Sequence, residues 1–188
     1  MSPIRSPNYR METNLYTVTV PPMMKALTAL SGVLDKASAH AASKQMEWHP
    51  AGMQENALLQ SHLISDQFPL IRQVQVACDN AKNGIARIAG IEAPAFEDTE
   101  KTIAELKTRI DKTVEFLNTI KPEQVIGQEA REIELSFWKG KKMNAFGYAT
   151  GYLIPNFYFH VTTAYSILRS NGVQIGKSDF IGGMPFID

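Results

Sequence analysis

Met23, Leu27, Leu30, Leu34, Ala37 and Ala41 recur at alternating three- and four-residue steps, a spacing that lays one apolar seam along a helix. Three further stretches repeat the pattern. Leu70, Val74, Ala77, Ala81, Ile85 and Ile88 make a second seam; Ile103, Leu106, Ile110, Val114 and Leu117 a third; Leu153, Phe157, His160, Ala164 and Leu168 a fourth. A helix with one apolar stripe must bury it against another element, and four such helices share a core most economically as one layer of antiparallel helices. The chain has 188 residues, enough for a single domain that buries roughly 70% of its unfolded surface. The expected fold class is therefore all-α, a four-helix bundle.

The segments between the seams set the boundaries. Tyr16 to Val20 alternates as a strand would, and Pro21 with Pro22 then suits the start of helix one. Gln54 to Ser65 reads as a short helix. Pro69 disfavours helical geometry in Phe68 and suits the first turn of helix two, which Gly90 caps. "IEAPAFEDTE" reads as a linker; Asp98 or Thr99 caps helix three, and Glu100 suits its positive N-terminus. In "REIELSFWKGKKMN", Ile133, Leu135 and Phe137 alternate before a lysine–glycine turn, which predicts a small β-hairpin before the last helix. Helix four runs from about Phe146 to Asn171, with Gly172 as its terminator, and the following "GKSDFIGG" packs back through Phe180. Residues 1–11 are polar with two prolines and are expected to be loose, with Met11 an alternative start and the domain running over 12–188.

Lysine plus arginine and aspartate plus glutamate both total 19, so no excess charge recommends nucleic acid or an anionic membrane as partner. Lys139 to Lys142 is the one basic cluster and reads as a solvated turn. No apolar run approaches the roughly 18 residues of a membrane span. The single cysteine, Cys78, forms no internal disulfide and suits a reducing cytoplasm, where it packs as a small apolar residue. His40 and His49 read as exposed. Nucleophile elbows, phosphate-cradling glycine loops and dinucleotide fingerprints are missing, which leaves hydrolase, kinase and dehydrogenase readings without local support.

One polar group falls on a seam. His160 lies on the buried stripe of helix four and Asn156 precedes it by one turn, so the two side chains project from the same face. Pro155 has no N–H and leaves the carbonyl of Gly151 without its helical partner. A buried imidazole needs hydrogen bonds or a metal, because an unpaired buried polar group costs about 1 to 3 kcal/mol. Asn156, Gln73 or Tyr152 could supply the bond; a metal would need further imidazole, thiolate or carboxylate ligands.

The runs "FPLIRQVQVACDNAKNGIARIAGIEAPAFEDTE" and "PNFYFHVTTAYSILRSNGVQIGKSDFIG" resemble an uncharacterised bacterial subfamily, a domain of unknown function, of the DinB-like or YfiT-like metalloenzyme superfamily. The resemblance covers the chain from about Met11 onward. It implies an up-down-down-up bundle, a homodimer, and a divalent metal such as zinc or nickel held by one histidine of the second long helix and two of the last. Some superfamily members are transferases or isomerases that use a small intracellular thiol. Carried onto this sequence, His160 matches the second histidine of the last-helix pair, Asn156 stands in the place of the first, and the second-helix ligand falls near Gln73, with His62 and Asp66 as off-register alternatives. One ligand of three is plainly present.

Three functions are compatible with these readings. The first is a metal- or thiol-dependent transferase with a degenerate metal site at His160. The second is a metal-free pocket for a small ligand, lined by His160, Asn156, Gln73, Tyr152, Phe159 and Tyr165. The third is a structural bundle that dimerises through helices one and four.

Overall fold

The computed structural model describes residues 13–184; the expectations for residues 1–11 lie outside the described residues. The order of elements is α1 (Leu15–Lys44), α2 (Met53–Leu59), α3 (Leu70–Ala89), α4 (Ile103–Thr119), α5 (Pro122–Val125), β1 (Glu132–Glu134), β2 (Lys142–Asn144), α6 (Ala145–Tyr148), α7 (Ile154–Ser170) and α8 (Lys177–Ile181). The expected four-helix bundle is present: α1, α3, α4 and the α6–α7 helix carry the four seams, and the two-stranded hairpin precedes the last of them.

The first helix begins earlier than its sequence suggests. Asn14 accepts from the Thr17 amide at 3.0 Å, and Thr17 Oγ1 accepts from the Asn14 amide at 3.0 Å, a reciprocal cap that starts α1 ahead of the prolines. Thr19 and Val20 are neighbours and both are buried, which alternation along a strand would forbid. Residues 16–20 are therefore helical, and Pro21 and Pro22 lie inside α1. α2 stops at Leu59, short of the expected Ser65. Pro69 takes the N-cap position of α3, and Gly90, at φ 68, ends it.

The connection from α3 to α4 explains the topology. Residues 91–102 contain no helix or strand and run back along α3 as a strap. Pro94 meets Lys82, Asp98 and Asp79 meet at Arg109, Glu100 meets Gln75, and Ile103 N donates to Glu55 beyond the far end of α3. The strap thus returns the chain to its starting end, so α3 and α4 run the same way, the down-down step of the expected up-down-down-up order. The α4 cap is Thr102, in a capping box with Glu105, rather than Asp98 or Thr99, because the Asp98 carboxylate is committed to Arg109 and Arg72.

The last helix is continuous but widens in the middle. Over Ala149–Leu153 it takes a π turn, and Ile154 N donates to Ala149 O, five residues back. Pro155 is the cause: it offers no N–H to Gly151, and its ring crowds that carbonyl, so the preceding turn opens. α3 packs closely here, since a Cβ on Gly84 would fall 2.2 Å from Leu153 Cδ1. In the hairpin, β1 ends at Glu134; Ser136–Trp138 then forms a 3-10 turn that swings Phe137 out to 63% exposure instead of continuing the expected strand. α8 packs on α1, and Phe180 meets Tyr165 edge to face at 5.6 Å, as expected of the tail. Among the described residues, no helix is long and apolar enough to cross a membrane.

Candidate functional site

His160 sits where its spacing puts it, on the buried stripe of α7 with 7% of its surface exposed. Its Nδ1 lies 2.7 Å from Gln73 Oε1 on α3. The amide of Gln73 is oriented by its other end, since Nε2 donates to the Phe68 carbonyl at 3.0 Å. That carbonyl is available because Pro69 keeps Phe68 out of the helix. With Oε1 turned to the ring, only a proton on Nδ1 satisfies the contact, and Nε2 is left as the bare nitrogen of the neutral imidazole. Burial, aided by the positive charge of Arg72, pulls the His160 pKa below its ordinary 6.5 and favours that neutral form. Phe159, half exposed, packs edge-on against the ring at 5.2 Å.

Asn156 does not converge on His160. It reaches across to α3 one turn further along, where Nδ2 donates to Asn80 Oδ1 at 2.9 Å. Tyr152 is further removed. The π turn rotates it out of the phase that ordinary helical spacing would give, and it joins an aromatic cluster with Tyr148 at 5.8 Å, Trp138 at 5.6 Å and Phe137 at 6.5 Å. Of the four residues expected at the site, the structure therefore brings together His160 and Gln73. His62 and Asp66 are exposed; His62 Nδ1 contacts the Gln67 carbonyl at 2.6 Å. Tyr165 packs on Phe180, away from Phe159. Among the described residues, surface concavities of about 170 to 540 Å³ lie elsewhere, lined by residues other than His160, Gln73, Asn156 and Tyr152.

A metal at this point would need ligands that the residues do not supply. Zinc is held by imidazole, thiolate or carboxylate, at least three of them even in an open catalytic site. Here one imidazole has a nitrogen bound to Gln73, and the other two positions are neutral amides, one of them turned away. Among the described residues no three His, Cys, Asp or Glu side chains come together in a metal-binding group. The donor set does not fit a zinc or nickel ion.

A second polar centre, on the opposite side of α3, escaped the sequence reading. Arg109 of α4 is 2% exposed and binds Asp79 at 3.0 Å, Asp98 at 2.9 Å, Glu100 at 2.9 Å and the Glu97 carbonyl at 3.0 Å. Lys82, 3% exposed, donates to the Pro94 carbonyl and lies over the Phe96 ring at 4.2 Å. A strap without secondary structure has carbonyls to satisfy, and two buried cations satisfy two of them. Cys78 lies beside this network, fully buried, with its thiol pushed up to about 12 by desolvation. The signal in the sequence was Arg109 one residue from Ile110 on the helix-three seam, beside a linker carrying four acids and no base.

The chain matches a family model described as "Domain of unknown function (DUF1993)" over residues 15–181. A solved structure, the crystal structure of a DinB family member protein from Shewanella denitrificans, is similar with 41% sequence identity and a TM-score of 0.84, over 93% of this chain and 95% of that one. Nothing among curated proteins matches.

Proposed function

The chain belongs to the DUF1993 family and is a DinB-like bundle, and from that premise we propose that it is a metal-independent interaction protein. The positions that the resemblance assigns to metal ligands act as hydrogen-bonded pins of helix register. The observation that carries this reading is the pair of interhelical bonds, Gln73 to His160 at 2.7 Å and Asn156 to Asn80 at 2.9 Å, in which the candidate ligands are already committed to α3–α7 packing. Unfolding followed with and without zinc and nickel tests it. A ligand that binds only the folded chain stabilises it by about 2.7 kcal/mol at a hundredfold excess over its Kd. We expect no shift in midpoint with either metal; a stabilisation lost in His160→Ala would overturn the reading. Self-association is part of the proposal and would use the last helix, where Phe146 and Phe159 are exposed. None of the exposed large apolar side chains of the described residues lies on α1.

The tautomer of His160 favours a second reading, thiol-dependent transfer without metal. A neutral ring with Nδ1–H held by Gln73 keeps Nε2 ready to take the proton of a small thiol, leaving thiolate as nucleophile. Addition of a small thiol should then shift the ring nitrogen resonances of His160; unaltered resonances at millimolar thiol would dispose of it.

A further inference from the structure

We infer that the tip of the hairpin is a docking surface for an extended acidic peptide segment bearing an apolar side chain. The inference rests on the reading of the chain as an interaction protein and names the chemistry of its partner.

Phe137, Met143 and Phe146 are exposed at 63%, 42% and 56%, three large apolar side chains within ten residues of sequence. A concavity of about 410 Å³ opens between Phe137, Trp138 and Met143, and Lys139, Lys141 and Lys142 rim it. Its cations are not equivalent. Lys142 pairs with Glu132 at 2.7 Å and feels the charge of Glu134, whereas Lys139 and Lys141 make no ion pair among the described residues. Lys139 is also the one non-glycine described residue with positive φ, at 52°; with Gly140 at 81° it forms the turn that Lys141 N closes onto the Trp138 carbonyl at 3.1 Å. A left-handed lysine is disfavoured, and glycine would relieve it. A strained residue that retains its charge beside an apolar concavity points to use of that charge.

The backbone offers the second half of the surface. β2 is exposed along its whole length, and among the described residues its pairing is with β1. A free strand edge accepts an added strand through main-chain hydrogen bonds, with alternate side chains read by neighbouring pockets. An extended segment on β2 would place an apolar side chain in the concavity and its carboxylates toward Lys139 and Lys141. A flat anionic bilayer would leave the concavity unused and meet two unpaired lysines, too few for stable attachment.

Fluorescence anisotropy of the full chain with the fluorescein-labelled peptide DEVFVED tests the proposal. We expect saturable binding in roughly the micromolar range, weakened at least about tenfold by Phe137→Ser and by Lys139→Gly with Lys141→Glu, and unchanged in Lys44→Glu, an exposed lysine at the end of α1. Lys139→Gly relieves the backbone, so its effect on affinity does not report misfolding. The proposal is overturned by absence of binding up to about 1 mM peptide, by equal binding of the basic peptide KKVFVKK, by undiminished affinity in the lysine variants, or by tighter binding to phosphatidylserine vesicles or to oligothymidine. These outcomes are independent of the metal titrations, so the two readings fail separately.

Discussion

Toward α4 and the strap, α3 presents Asp79 to a buried guanidinium and Lys82 to the Pro94 carbonyl; toward α7 it presents Gln73 and Asn80, both neutral, to an imidazole and an amide. The first face holds a structureless strap, and the second holds two helices in register. A strap has backbone carbonyls that must be satisfied from outside, and long cations reach them, so charge is concentrated where local structure is absent. Two packed helices have already satisfied their own backbones. All they need is a directional contact to prevent sliding, and neutral hydrogen bonds provide it with little desolvation. The same contrast separates what removal of each centre should do.

The largest effect is expected at Arg109. Arg109→Met removes the one cation that Asp79, Asp98 and Glu100 share, leaving them only Lys82, Arg72 and Gln75, and should lower the unfolding free energy by about 3 to 5 kcal/mol, read from urea denaturation. A loss under about 1 kcal/mol would mean that the network is a solvated decoration and that the comparison is wrongly drawn. His160→Leu comes next. It strands the Oε1 of Gln73 and should cost about 1 to 3 kcal/mol, whereas Gln73→Leu with His160→Leu should recover most of that loss, because both partners of the bond then become apolar. Additive losses in the double variant would contradict the role of the pair as a register pin.

Acid separates the two faces by window. The pKa of His160 is depressed, so its neutral form contributes stability that is fully present above 6.5, the ordinary value, and is lost as pH falls from there through the lower folded value. Glu100 is desolvated, which alone would raise its pKa, yet bonds from Arg109 and Gln75 outweigh burial and hold it below 4.5. Its contribution is present above 4.5 and is lost as pH falls through the folded value. Stability should therefore decline in two stages on acidification. His160→Leu should remove the upper stage and leave the lower; a single stage in the parent protein would blur the distinction. The smallest effect belongs to the hairpin, where Lys139→Gly should stabilise by about 1 kcal/mol by releasing a left-handed lysine.

The seams of the four helices were legible because burial imposes a periodicity that the sequence displays directly, and His160 was found as the one polar residue breaking it. Its partner Gln73 was within reach of the same logic. Tyr152 was misplaced because Pro155 opens a π turn, and a π turn changes the phase of everything before it without leaving any mark in the apolar spacing; Asn156, beyond that turn, keeps its phase, and its amide was drawn to Asn80 on α3, a partner that spacing within one helix does not reveal. The strap was recognised as a linker, but its pins were missed: Lys82 and Arg109 look like solvated helix residues until it is known that twelve residues of chain cross over them. The early start of α1 was hidden in the same way, since Asn14 and Thr17 form a cap that two prolines seemed to forbid.

The central claim is that the positions expected to bind metal are committed instead to a hydrogen bond between α3 and α7. The most direct test is a long-range proton–nitrogen correlation spectrum of the His160 ring, recorded before and after one equivalent of zinc. The account expects the proton on Nδ1, a bare Nε2, and no change on adding zinc. A proton on Nε2, or a zinc-dependent shift of either ring nitrogen, would contradict it.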